Sequence, residues 1–153
     1  MRISAKTDYA IRAVVEMASA SEDGQLVKAE AVADAQQIPL RFLLSILNEL
    51  RHAGIVDSRR GAEGGYRLAK PAYAITIADV IRAIDGPLAN VAGTRPDALH
   101  LSGSAAPLRD VWVSLRSSIR AVLEHVTVAD IVSGKLPAEV LDLTRDTDAW
   151  TPH

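Results

Sequence analysis

The chain contains no cysteine, and this absence excludes several kinds of site at once. Disulfide bonds, thiolate catalysis, zinc-finger sites and all-cysteine iron–sulfur ligation all require that residue. No apolar run approaches the roughly 20 residues that a membrane-spanning helix needs. Charged residues near the N-terminus, including Lys6, Asp8 and Arg12, interrupt any apolar core of a signal peptide. We therefore expect a cytoplasmic protein without a membrane partner.

A strong excess of one charge is also lacking. The 153 residues carry a net charge of −2, and residues 1–70 hold 10 Lys/Arg against 9 Asp/Glu. This balance excludes the global basic excess of a protein that coats nucleic acid without specificity. Hydrophobic residues make up 48% of the chain, which is enough for an ordinary core. Any surface that binds DNA must therefore concentrate positive charge locally.

Catalytic motifs are scarce as well. The four histidines, at positions 52, 100, 125 and 153, are scattered, and none belongs to an HExxH motif. The glycines from position 61 onward are not followed by the GK[ST] sequence of a phosphate-binding loop. We expect neither an enzyme nor a metal site, although the sequence alone does not decide whether His100 is a ligand.

Apolar spacing in the first half of the chain predicts three helices. The first covers 4–20, and the second covers about 28–35 with Ala31, Val32 and Ala35 facing inward. The third runs from about 39 to 53, with Pro39 in its first turn, where the missing N–H costs nothing. The apolar stripe of this third helix is predicted to consist of Phe42, Leu43, Ile46, Leu47 and Leu50.

A β-hairpin follows the third helix. Strand candidates at 55–59 and 66–68 flank a tip in which glycines permit positive φ angles, and Pro71 ends the second strand. Three helices and a basic hairpin within 70 residues are typical of a winged helix-turn-helix module. The predicted fold class is therefore mainly α with a small β-hairpin wing (α+β).

The second half of the chain predicts an appended helical region. A capping pair, Thr76 and Asp79, opens a short helix, and Thr127 and Asp130 repeat the pattern after a long helix over about 107–126. The predicted organisation is a winged helix-turn-helix DNA-binding domain (1–87), a loop (88–106), a dimerisation helix region (107–134) and a loosely ordered C-terminal tail (135–153).

The outer side of the third helix and the hairpin tip supply the candidate DNA contacts. An arginine at such a tip can enter a narrow minor groove, and glycine N–H groups can contact phosphate. A plain solvated charge remains the alternative for Arg41. Leu40 and Leu44 could touch thymine methyl groups. The predicted contacts are Pro39, Leu40, Arg41, Leu44, Ser45 and Asn48 on the helix, and Ser58, Arg59, Arg60, Gly61, Gly64, Gly65 and Tyr66 in the hairpin.

The long helix needs a partner surface, and a second copy of the chain is the simplest one. A two-fold dimer would also match a palindromic operator. The alternative for the same apolar stripe is a ligand pocket around Trp112. The predicted dimer residues are Leu108, Val111, Trp112, Leu115, Ile119, Val122, Leu123 and Val126.

Four stretches resemble the Rrf2 family of bacterial transcriptional regulators. They are TDYAIRAVVEMA, the segment IPLRFLLSILNELRHAGIVDSRRGAEGGYRLAKP, and ITIADVIRAIDGP, with VTVADIV after the long helix. The resemblance covers about residues 1–134 and implies a homodimeric winged-helix repressor or activator whose long helix crosses to the partner. It matches the wing of the family to Arg59 and the three glycines of the tip. It also implies that Tyr9 lies on a helix that approaches phosphate.

One departure from the family concerns its cofactor. Many members hold an iron–sulfur cluster through three cysteines in the loop before the long helix. That loop here reads LANVAGTRPDALHLSGSAA, with His100 but no cysteine. Some members also recruit a residue of the first helix, but Arg12 of that helix cannot ligate a metal. We therefore expect no cluster and no other cofactor, and an effector that is a small molecule or a protein. The alternatives are a winged-helix protein-interaction module and a small-molecule-sensing regulator that binds DNA weakly.

Overall fold

A computed structural model describes residues 2–21 and 24–152, and it is mainly helical with one antiparallel hairpin, as predicted. No helix within those two ranges is long and apolar enough to cross a membrane. Short 3-10 turns, such as Ala72–Ala74, connect several elements. The elements are α1 (Ala5–Ala20), α2 (Ala29–Gln36), α3 (Leu40–His52), β1 (Val56–Arg59), β2 (Gly65–Leu68), α4 (Ile77–Asp85), α5 (Leu108–Leu123), α6 (Val128–Ser133) and α7 (Ala138–Thr144).

The main core lies between α1, α2 and α3. Met17 of α1, Val32 of α2 and Leu47 of α3 are fully or almost fully buried in it. Thr7 is also buried, and its hydroxyl donates a hydrogen bond to Asp85 at the end of α4. This bond joins the start of α1 to the end of α4 without leaving a buried polar group unpaired.

The turn between α2 and α3 is held by side chains of α1. The Arg12 guanidinium donates to the side chain of Gln36 at 3.3 Å and also to its backbone carbonyl. Gln36 in turn donates to Glu16 at 2.6 Å. Gln37 ends α2 in a left-handed conformation with φ 53°. Since α3 starts directly after this turn, these bonds fix the angle at which α3 leaves α2.

Two predicted inward faces are corrected by the structure. Phe42 is 61% exposed, because helical rotation places it about 90° from the centre of the stripe that α3 buries. In α2 the inward residues are Ala29, Val32 and Ala33, whereas Ala31 and Ala35 are exposed. Ala31 and Ala35 are one helical turn apart, so they share the solvent side of this short helix.

The hairpin gains a third, unpredicted segment. β1 and β2 pair from Val56↔Leu68 to Arg59↔Gly65. The backbone of Val27, just before α2, exchanges two hydrogen bonds of 2.8 Å with that of Tyr66. The Lys28 ammonium donates to the carbonyl of Ala62 at the hairpin tip, at 2.6 Å. These contacts attach the hairpin to the helical core instead of leaving it to project alone.

The chain after α5 returns to the helical core. Both predicted capping boxes are present, at Thr76 and Thr127. The two caps lie side by side, because Ile77 donates to the carbonyl of Val126 at 3.0 Å and Val128 donates to that of Ile75 at 2.9 Å. A second apolar cluster lies beside this junction and consists of Ile77, Ala78, Ile81, Leu88, Ile119 and Val126.

Residues 135–152, for which the sequence predicts a loosely ordered tail, contain α7 and a short 3-10 turn over Thr147–Trp150. Pro137 caps α7, its carbonyl accepting the first bonds of the helix, and Leu136 and Val140 pack against the second apolar cluster. The indole N–H of Trp150 donates to the carbonyl of Thr144 at 2.7 Å. This segment is held by single apolar residues. A helix as short as α7 shows little apolar periodicity, so the sequence pattern does not predict it.

The hairpin tip leaves no space for a side chain at Gly64. A Cβ there would lie 2.2 Å from the carbonyl oxygen of Arg59. We expect Gly64→Ala to destabilise the protein by about 1–3 kcal/mol, because the backbone must move to accept the methyl group. Urea unfolding followed by circular dichroism measures this. The neighbouring Glu63→Ala, at an exposed position, should leave the midpoint unchanged, and equal stability of the two variants would contradict the packing described.

Candidate nucleic-acid interface

Burial of one stripe of α3 determines which side chains face outward. Leu43, Leu47 and Leu50 are fully buried against the main core, so the opposite side of the helix meets solvent. Arg41, Ser45 and Asn48 are exposed there, as predicted. Pro39 stands at the N-cap, one position before the first turn, and its carbonyl accepts from Leu43 at 3.0 Å.

The C-terminal half of α3 is engaged within the molecule. Arg51 donates to the side chain of Asn48 at 3.0 Å, and Nδ1 of His52 lies 2.7 Å from the carbonyl of Asn48. Glu49 forms an ion pair of 2.8 Å with Lys6 of α1. The N-terminal half of the helix is therefore the part whose outer side chains are left for a partner.

The wing, residues 56–68, presents its arginines to solvent. Ser58, Arg59 and Arg60 are exposed, as is Gly61 at the tip. Gly64 is buried, and its N–H donates to the carbonyl of Gly61 at 2.9 Å. A Cβ on Gly65 would lie 2.7 Å from the carbonyl of Val27. The basic residues of the wing are thus exposed to solvent, whereas Gly64 and Gly65 are packed against other backbone atoms of the chain.

Unpaired arginines are concentrated in this region. Most arginines of the described ranges make an ion pair or a side-chain hydrogen bond, as Arg12 does with Asp8 and Arg120 with Glu124. Residues 40–68 hold five arginines and three carboxylates, a net charge of +2 within a chain of net charge −2. Among residues 2–21 and 24–152, the arginines that make neither kind of contact are Arg2, Arg41, Arg59, Arg60 and Arg67.

Two aromatic candidates, Tyr66 of β2 and Tyr9 of α1, pack against the main core. Tyr66 is partly buried and packs against the main core, and its backbone pairs with Val27. Tyr9 is also partly buried, with the Arg12 guanidinium 5.5 Å from its ring centroid. Because Arg12 holds the turn before α3, Tyr9 is linked to the start of that helix.

The predicted dimer residues divide into three groups. Ile119 and Val126 are buried in the second apolar cluster, and Leu123 packs against it, so these three are used within the chain. Trp112 and Val122 are partly exposed, and Trp112 lines an apolar cavity of about 300 Å³ with Leu115 and residues 89–91. The residues left largely open are Leu108, Val111 and Leu115, which are 40%, 55% and 42% exposed.

The loop before α5 is tied to that helix by ion pairs. The side chain of Asp97 accepts from Arg95 at 2.7 and 3.1 Å and from Arg116 at 2.9 Å. The hydrogen bonds from Arg95 hold the pKa of Asp97 below its usual range. Arg120 and Arg82 lower the pKa of Glu124 to about 2 through hydrogen bonds to its carboxylate. Both carboxylates are therefore ionised at neutral pH and engaged by guanidinium groups.

Several bacterial proteins are similar to this chain over most of its length. A protein named as an HTH-type transcriptional regulator, Rv1287 of Mycobacterium tuberculosis, is 50% identical over 146 residues, 95% of this chain and 90% of the relative. The structure of CymR, the global cysteine regulator of Bacillus subtilis, matches with a TM-score of 0.73 and 30% identity, covering 87% of this chain and 97% of that one. The T. potens IscR structure matches with a TM-score of 0.68 and 27% identity, covering 100% and 93%.

The Rrf2 family model, described as an iron-dependent transcriptional regulator, matches residues 3–134. The residues present do not fit an iron site. The chain has no cysteine, and the described ranges bring no three His, Cys, Asp or Glu side chains together to hold a metal. Asp97, in the loop before α5, is already held by two arginines. On the family model and the sequence identities together, the chain belongs to the Rrf2 family of helix-turn-helix, DNA-binding transcriptional regulators.

Proposed function

We propose that this regulator binds specific DNA sites by placing α3 in a major groove and the wing against the neighbouring minor groove. The single observation that supports this most is the distribution of unpaired arginines. Four of the five in the described ranges lie on α3 or the wing. Phosphate and the electronegative base edges of DNA supply the partners that these guanidinium groups lack within the chain.

On α3, the proposed base contacts come from the N-terminal half. Arg41 can donate two hydrogen bonds to a guanine edge, and Ser45, one turn later, can reach the next pair. Leu40 and Leu44 flank them and are 37% and 43% exposed. Pro39 starts the helix at the groove, and Asn48 reaches phosphate or base once Arg51 releases its side chain.

On the wing, we assign different roles to the tip residues. Arg59 and Arg60 enter or border the minor groove, and Ser58 contacts phosphate. The exposed Gly61 offers the closest backbone approach. Gly64 and Gly65 are proposed to position the tip instead, because their surroundings leave no room for a Cβ. We propose Tyr66 and Tyr9 as contacts at the edge of the same surface.

We further propose a homodimer formed through α5. The sixteen-residue helix leaves Leu108, Val111 and Leu115 uncovered by its own chain, with Trp112 and Val122 beside them. Ile119, Leu123 and Val126 hold the helix against the second apolar cluster of its own chain. A two-fold axis through the contact between two copies of α5 would present two copies of α3 to a palindromic operator. Repression in the bacterial cytoplasm is the simplest outcome, because it needs only occupancy of a promoter.

The proposed domain organisation follows from these roles. Residues 1–87 read DNA, 88–106 form a connecting loop, and 107–134 bring two chains together. α6 follows α5 in the chain and packs on α1, which in turn packs on α3. A displacement of α5 would therefore be transmitted to α3. The loop over Trp112 is our proposed place for a small-molecule or protein effector, since the adjoining cavity is mostly apolar. We propose no cofactor for this regulator.

Replacing Arg59 tests the wing. Arg59→Ala should weaken operator binding by about 1–3 kcal/mol and reduce the salt slope by about one, because a phosphate or minor-groove partner loses its cation. Fluorescence anisotropy across a salt series measures both quantities. Arg145→Ala, which removes an exposed arginine paired with Asp142 on α7, is the matched control and should leave both unchanged. Equal affinity of the Arg59 variant and the wild type would show that the wing is not part of the interface. A wild-type protein that binds no operator would favour a protein-interaction module.

Charge on α5 tests the dimer. The double variant Val111→Glu/Leu115→Glu should sediment as a monomer, whereas the wild type sediments at twice the 16.4 kDa chain mass, because two carboxylates cannot be buried unpaired at the two-fold axis. Analytical ultracentrifugation gives both masses. Leu143→Glu, at a 60% exposed position on α7, should remain dimeric. A monomeric wild type, or a dimeric double variant, would place the interface elsewhere or abolish it.

A further inference from the structure

The start of α3 exposes two large apolar side chains. Phe42 is 61% exposed, and Leu44 is 43% exposed. The chain has only one phenylalanine, and its side chain is not used in the core, which takes Leu43, Ile46 and Leu47 from this helix instead. At the start of a helix proposed to read DNA, such side chains would gain free energy by covering apolar surface of the duplex.

Hydrogen-bonding side chains are sparse in the same turn. From Leu40 to Leu44 the only polar side chain is that of Arg41. The polar residues of α3 come later, and of these Asn48 and Glu49 are already bonded to Arg51 and Lys6. The head of the helix therefore cannot identify several bases by hydrogen bonds alone.

The helical geometry sets the two apolar side chains on opposite flanks. Residues two apart on a helix differ by about 200° in direction, so Phe42 and Leu44 point toward the two walls of a groove, and Arg41 projects between them. Thymine is the one base that presents a methyl group in the major groove, on the side of its own strand. The other bases present polar atoms there, which lose hydration when an apolar side chain covers them.

We propose that Phe42 and Leu44 recognise the 5-methyl groups of thymines on opposite strands, so that each half-site carries A·T pairs of both orientations beside the base contacted by Arg41. The inference rests on the proposed function and adds to it the base composition that this helix selects. Phe42, the more exposed of the two, is the principal specificity-determining residue.

The test replaces thymine by deoxyuridine, which removes only the methyl group. Duplexes are first selected by the full-length protein from a random-sequence library, and affinities are then measured by anisotropy for each single thymine-to-uracil change. We expect a loss of about fourfold at one thymine on each strand of a half-site, the value that burial of one methyl group implies. Phe42→Ala should bind the thymine and uracil duplexes equally at the first position, and Leu44→Ala should do so at the second.

Two controls separate methyl recognition from general weakening. Arg59→Ala should lower affinity for thymine and uracil duplexes alike and keep their ratio. Leu143→Ala removes a comparably exposed side chain from α7 and should change neither. Since Phe42 is not part of the core, its alanine variant should unfold at the wild-type temperature.

The outcomes distinguish this inference from the function on which it rests. Tight binding to selected duplexes with no uracil-sensitive thymine, or thymine preference that persists in both variants, overturns methyl recognition and leaves a DNA-binding regulator. Failure of the library to yield any enriched sequence overturns sequence-specific binding itself. Loss of the thymine preference in Phe42→Ala, with affinity for the uracil duplex unchanged, supports the inference.

Discussion

Packing of the apolar stripe of α3 against α1 and α2 sets the position of every candidate DNA contact on that helix. Once Leu43, Leu47 and Leu50 are buried, the rotation of the helix about its axis is fixed, and Arg41 and Ser45 must face outward. The side chains of α1 then set the approach angle of α3, because Arg12 and Glu16 both hold Gln36 at the preceding turn. The outward face of α3 is therefore held in place by contacts on the buried side of the helix and at the preceding turn.

Pairing of charges divides the molecule in a way that net charge does not. In the second half, several arginines are paired with carboxylates, as in the contacts of Asp97 with Arg116 and of Glu124 with Arg82. On α3 and the wing the arginines stand without carboxylate partners. A nearly neutral DNA-binding domain is therefore consistent with a strong local attraction for phosphate, since screening limits the influence of distant carboxylates to about 10 Å at 0.1 M salt.

Much of this organisation could be predicted from the sequence, and the exceptions have physical causes. The capping pairs at Thr76 and Thr127 were readable because a helix start depends on residues three positions apart. The pairing of Val27 with Tyr66 was not, because it joins segments 39 residues apart through backbone atoms that carry no residue signature. The apolar side chain of Phe42 suggests a place on the buried stripe of α3, but a rotation of about 100° per residue puts it at the edge of that stripe, where the surrounding helices decide whether it is covered. The membership of Ile119 and Val126 in an internal cluster depended on the return of α6 to the core, which no local pattern predicts.

The arginine side chains themselves can be observed directly, which tests whether the unpaired arginines on α3 and the wing form the DNA interface. Side-chain Nε–Hε signals of ¹⁵N-labelled protein can be followed by NMR as a selected duplex is added. The signals of Arg41, Arg59, Arg60 and Arg67 should shift at saturation, whereas those of Arg82, Arg95 and Arg120 should keep their free positions because they stay bound to carboxylates. Shifts confined to the second group would contradict the account.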